Sequence, residues 1–106
     1  MLAHGGGTLP HLCGRLDDTT RAHSGAASSL KKKPSEYLQL IYYDATVFHA
    51  PAIRCVVSFA GIKRVLFGTD HPFKKDPSEI YRSIEILEQP EQLAILDSNA
   101  RALLNI

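Results

Sequence analysis

Apolar residues in this chain fall into two patterns. Some form short continuous runs, and others recur every three or four positions. Runs predict buried strands, and the longer spacing predicts amphipathic helices. Val65-Leu66-Phe67 sits in a strand expected over 64–68, apolar enough to be covered on both faces and halted at Gly68. Leu40 to Phe48 is β-branched and aromatic almost throughout and predicts a second strand. Met1-Leu2-Ala3 is an apolar stub, whereas a strand of ordinary length takes about five residues. It reads as a strand entered in its middle, so an amino-terminal truncation is expected.

Between and after these runs the period changes. Leu9, Leu12 and Leu16 share a helical face behind Thr8 as a cap. Ile53, Val56, Val57 and Ala60 stripe a helix over 51–60, with Pro51 in its first turn and Gly61 at its end. Ile80, Ile84 and Leu87 follow a cap at Asp76 or Ser78, and Pro90 is expected to end that helix. Leu93, Leu96, Ala100, Leu103 and Leu104 predict a last helix over 91–104. Residues 17–35 carry Asp17-Asp18, Ser24-Gly25, Ser28-Ser29 and Lys31-Lys32-Lys33, which predicts a surface excursion within one domain spanning 1–106. Strand, helix, strand, helix is the grammar of a parallel α/β sheet. Three strands are fewer than the eight of a closed barrel.

Ligands of such sheets gather beyond the carboxyl ends of the strands. Two chemically capable residues are expected there, His4 after the first strand and Asp70 after the third. An imidazole and a carboxylate converging on one pocket suit a divalent metal, or a general base beside one. An Asp after a strand also serves as a loop residue or helix cap, and a His beside glycines also simply packs. Tyr42, Tyr43 and Asp44 read at least as well as core or loop residues as they do in any role at the site. His49 and His71 either line the same mouth or are ordinary loop residues.

Composition narrows the classes. At 106 residues, 44% hydrophobic and 22% charged, the chain is ordinary globular protein. A net charge of +1 gives no footprint for nucleic acid or an anionic membrane surface. Cys13 and Cys55 are too few for a disulfide framework and suit reduced thiols in the cytoplasm.

Three segments in order carry a family resemblance: His4-Gly5-Gly6-Gly7-Thr8-Leu9-Pro10 with Gly14-Arg15, Tyr43-Asp44-Ala45, and Leu66-Phe67-Gly68-Thr69-Asp70-His71-Pro72-Phe73. Together they resemble the amidohydrolase-related family, in its branch of aminocarboxymuconate-semialdehyde decarboxylase and fungal relatives. Ser98-Asn99-Ala100 with Leu103-Leu104 is similar to the closing helix of those proteins. The resemblance implies the carboxy-terminal part of a metal-dependent (β/α)8 TIM barrel, strands six to eight. It also implies zinc-dependent, non-oxidative decarboxylation of a small carboxylated aromatic or unsaturated substrate. Hydrolysis by a metal-activated water is the alternative within the superfamily. A non-catalytic remnant pairing with a full-length barrel is the alternative outside it.

By the same resemblance His4 is the catalytic acid/base, Asp70 a zinc ligand, and Arg15 the guanidinium that holds a substrate carboxylate in the neighbouring subunit of a homodimer. The family's His-x-His pair and a further metal-binding His fall upstream of Met1. Alone, the chain is therefore expected to bind zinc poorly and to be inactive.

Overall fold

The computed structural model describes residues 1–22 and 29–106. Its sheet is small and parallel. β1 (Tyr43–Asp44) pairs with β2 (Val65–Leu66), Tyr43 opposite Val65 and Asp44 opposite Leu66. Leu2 forms a parallel bridge on the other side of β1: its N–H donates to Tyr42 O at 2.7 Å, and its carbonyl accepts from Asp44 N–H at 3.2 Å. All three chain segments thus run in one direction, and their carboxyl ends share one edge of the sheet.

The strands are shorter than the apolar runs. Leu40 and Ile41 are held in turns onto Tyr37 and Leu38, and Val47 N–H closes back onto Ala45 O. β-Branched and aromatic residues report a half-buried, pleated surface, not the length of a ladder. Beyond β2, the Phe67 N–H leaves the sheet and donates to Ile95 O at 3.0 Å.

Helices α1 (Leu9–Ala22), α2 (Pro34–Leu38), α3 (Ala50–Ala60), α4 (Ser78–Ile84), α5 (Gln89–Leu93) and α6 (Asn99–Leu104) surround this sheet. α3 fills the core as its spacing predicts. Ile53, Val56 and Val57 are buried against Tyr43, Val65, Ile80, Ile84 and Ile95, each such side chain contributing about 1.5–3 kcal/mol by leaving water. Tyr43 is fully buried, with its ring edge-on to Phe59 and its hydroxyl donating to Leu38 O at 2.7 Å. Burial pushes that phenol above its ordinary pKa, with Cys13 adding to the effect.

Three expectations are revised. Residues 17–22, expected in the surface excursion over 17–35, are the last turns of α1. Their hydroxyls fold back onto the helix, Thr20 to Asp17 O at 2.9 Å and Thr19 to Arg15 O at 2.8 Å. The centre of that segment, 23–28, lies outside the described residues. α4 ends at Ile84, and Pro90 opens α5 instead of closing its predecessor, because a first turn needs no proline N–H. The last helix starts at Gln89 and includes a π-helical turn, Ala94–Ser98, before α6.

Two carboxylates fix loops at the surface. Asp17 accepts from both Ser35 N–H at 2.9 Å and Ser35 Oγ at 2.7 Å, and Asp76 accepts from Ser78 in the same way. These bonds hold both carboxyls below their ordinary value of 3.8. The sign follows from the depression: the stabilisation is complete above the unfolded pKa and is lost as pH falls through the lower folded value. The thermal midpoint should therefore drop on acidification below about pH 4. Asp17→Asn with Asp76→Asn should flatten that drop in a melting series across pH.

Candidate active site

The three carboxyl-terminal exits have one backbone feature in common. Each contains a non-glycine residue in the left-handed region: His4 (φ 54°) after Leu2, Phe48 (φ 52°) after β1, and Asp70 (φ 59°) after β2. Such residues are uncommon and concentrate where a side chain must be aimed. Here they turn the chain at the mouth of each strand.

Asp44 joins these exits. Its side chain is 8% exposed, and one oxygen, Oδ1, takes three hydrogen bonds. They come from Gly5 N–H at 3.2 Å, Thr46 N–H at 3.1 Å and Thr46 Oγ at 2.5 Å. Thr46 is held against Asp44 by a turn just past β1, while Tyr43 and Ala45 are buried in the core. Thr46 Oγ also lies 3.4 Å from His4 Nδ1. On the far side Gly68 is pressed onto the same pair: a Cβ there would stand 3.2 Å from Thr46 Cγ2 and 3.3 Å from Asp44 Cβ. His4 is thus bound directly to the Asp44–Thr46 segment, and Asp70 leaves the sheet two residues beyond its contact with Gly68.

His4 is exposed and Asp70 half-buried. The Asp70 carbonyl accepts from Phe73 and Lys74 N–H at 2.9 and 3.0 Å, closing a tight turn. That turn carries Lys74 back over the Phe48 ring at 4.5 Å, where its ammonium pairs with Glu79. The exits of β1 and β2 are therefore in contact through Phe48 and Lys74.

Arg15 stands elsewhere, on the exposed face of α1, its guanidinium 3.8 Å from Asp18. Among the described residues no hydrogen bond or ion pair joins any two of His4, Asp70 and Arg15. His49 stands just ahead of α3 and lines a shallow cavity of about 290 Å³ with Phe48, Glu79 and Arg82, while His71 is exposed outside it. A larger groove, about 650 Å³, lies between α1 and Lys31-Lys32-Lys33, away from the strand ends.

No group of three His, Cys, Asp or Glu side chains among the described residues is placed to hold a metal ion. Asp70 is a single candidate ligand, and a catalytic site of this kind takes three from protein.

Sequence reasoning passed over two side chains. Asp44 read as core or loop, yet a carboxylate inside an apolar strand with a threonine two places on was the available signal. Asn99, buried at the start of α6, donates from Nδ2 to Ile62 O at 2.8 Å and to Val65 O at 2.7 Å, fastening the last helix to β2. Asn99→Ala leaves both buried carbonyls short of a donor. It should lower the unfolding free energy by about 1–3 kcal/mol, measured by urea denaturation.

Parallel strands with helices packed beside them are the arrangement of an α/β sheet, open or part of a barrel. The amidohydrolase sequence profile (Amidohydro_2) matches residues 1–106, and the chain belongs to that family. It is 29% identical over 108 residues to 2-amino-3-carboxymuconate-6-semialdehyde decarboxylase of Dictyostelium discoideum, covering 98% of this chain and 30% of that protein. It is 28% identical over 116 residues to 2-keto-4-carboxy-3-hexenedioate hydratase of a Sphingobium strain, covering 95% of this chain and 31% of that protein.

Among solved structures, Metarhizium anisopliae IDCase in its apo form superposes with a TM-score of 0.80 at 29% identity, over 98% of this chain and 33% of that one. Dihydroxybenzoic acid decarboxylase from Polaromonas, solved with bound manganese and 2-nitroresorcinol, gives 0.83 at 23% identity over 98% and 32%, a likeness of fold. The chain spans about a third of the length of each of these four proteins, and its fold is part of the amidohydrolase (β/α)8 barrel.

Proposed function

We propose that this chain forms the His4- and Asp70-bearing part of a metal-dependent carboxy-lyase barrel. The observation supporting this most directly is the junction at Asp44 and Thr46, which ties the exit carrying His4 to the exit carrying Asp70. Relatives named as decarboxylases support the reaction class.

In the proposed reaction the bond from carbon to carboxylate breaks, its electron pair stays on carbon and CO2 leaves. One proton then goes to that carbon from His4, whose role is acid/base. The substrate is a small carboxylated aromatic or unsaturated acid. Asp70 would be one ligand of a divalent cation whose other ligands lie in the part of the family barrel not spanned here. Zinc is the ion implied by resemblance, and manganese accompanies a solved relative. A bound divalent ion supplies Lewis-acid stabilisation of developing negative charge.

Arg15, exposed and 3.8 Å from Asp18, is proposed to reach a substrate carboxylate in a second subunit of a homodimer, a task suited to a bidentate guanidinium. The cytoplasm is the proposed location: both cysteines are free, and no described helix is long and apolar enough to cross a membrane.

The hydratase relative favours one second reading, addition of water across a carbon–carbon double bond at the same strand ends. To separate the two, the chain is assembled with the complementary part of a relative's barrel and given carboxyl-labelled dihydroxybenzoates and carboxymuconates. Labelled CO2 that disappears in Asp70→Asn supports the lyase. Incorporation of solvent oxygen without CO2 supports the hydratase, and neither product rejects both.

A further inference from the structure

Thr46 Oγ is placed between two partners, the Asp44 carboxylate at 2.5 Å and His4 Nδ1 at 3.4 Å. A hydroxyl has one proton to donate. Asp44 Oδ1 offers only lone pairs, so that proton goes to Asp44, and the short separation is that of a bond to a charged acceptor. Toward His4 the Thr46 oxygen is left with lone pairs alone. Nδ1 must therefore carry a hydrogen to bond it, which in a neutral ring leaves Nε2 bare.

We propose that Asp44 and Thr46 are positioning residues that fix His4 in the Nδ1–H form and leave Nε2 as the nitrogen through which a proton enters and leaves. The polarity cannot reverse without facing the threonine proton away from a buried carboxylate. The same carboxylate anchors the turn beneath the ring by taking the Gly5 N–H at 3.2 Å, so one group sets both the place and the tautomer of the imidazole. The 3.4 Å separation is long, as such bonds often are before substrate is bound. This inference rests on the acid/base role proposed for His4, but its test does not need activity.

Long-range proton–nitrogen correlation spectra of the labelled chain, recorded in alkaline buffer, identify which nitrogen carries the hydrogen. The wild-type His4 ring should show Nδ1 protonated and Nε2 bare. Thr46→Val should release it to the solvent mixture, in which Nε2–H dominates, and Thr46→Ser should restore the wild-type pattern. If Thr46→Val does not fold, the wild-type and Thr46→Ser spectra decide alone, since both must show Nδ1–H. A wild-type ring protonated at Nε2, or one unchanged in a folded Thr46→Val chain, overturns the relay. An Nδ1–H ring in a barrel that releases no CO2 leaves the relay standing and removes only the carboxy-lyase reading.

Discussion

An alanine at Gly5 should cost the chain roughly 3 kcal/mol or more, a large share of the stability of a domain of this size. A Cβ there would stand 2.5 Å from Val47 Cγ1 and 2.9 Å from Val56 Cγ2, and Val56 belongs to the buried core. Neither methyl is the loose end of a flexible side chain, so the turn must move. Moving it pulls the Gly5 N–H away from Asp44, its partner at 3.2 Å. The left-handed backbone, φ 60°, adds about 1–2 kcal/mol for any residue with a Cβ. Gly7→Ala adds a methyl with nothing within 4 Å of it, but at φ 61° and ψ −125°, a glycine-favoured conformation outside the left-handed well of Gly5, so its cost is one of backbone alone. Urea midpoints should place both variants below wild type, Gly7→Ala through its backbone and Gly5→Ala through the overlap with Val47 and Val56 as well. A Gly5→Ala chain as stable as wild type would show that the turn shifts without losing its packing.

The glycine run bears on what sequence can report. Three glycines after a strand predict close backbone approach, and close approach is what Gly5 makes, but to Val47 and Val56 instead of a ligand. Nothing in the residues themselves tells a cradle for a ligand from a turn packed on a core. The α3 stripe was legible because one face of one helix meets the core throughout. The strands were legible as elements but not in extent. Apolar runs continue through residues that the backbone turns away from the ladder, as Leu40 and Val47 do.

The candidate site divides along the same line. His4 and Asp70 stood out because each follows an apolar strand and each matches a family segment. Asp44 was quoted for the resemblance yet given no role, since its work depends on a glycine 39 positions away and on Gly68, contacts without any local period. Asn99 escaped for the same reason, its acceptors lying 37 and 34 residues upstream. Local pattern reports which face of an element is buried. A polar junction between distant segments appears only once those segments are in place.

Asparagine at position 4 should lower turnover of the assembled barrel by about 10²–10⁴-fold while leaving its folding free energy nearly unchanged. Asparagine is chosen for the backbone. His4 and Asp70 both hold left-handed φ values, where Asn is tolerated far better than Ala. An alanine at either site would mix lost chemistry with added strain. His4 is exposed, and among the described residues its side chain bonds only to Thr46, at 3.4 Å, so the packing lost is small. A surface change of this kind moves stability by about 0.5 kcal/mol or less. An amide, unlike imidazole, cannot take up and return a proton near neutral pH, and that is the function removed. Asp70→Asn applies the same logic to the carboxylate: it keeps the turn through the Asp70 carbonyl and removes the charge proposed to bind the cation. The loss should fall on kcat for His4→Asn and on metal affinity for Asp70→Asn, read from CO2 release against metal concentration. Full turnover in His4→Asn would assign the proton transfer to another group, and unchanged metal dependence in Asp70→Asn would remove Asp70 from the cation's ligands.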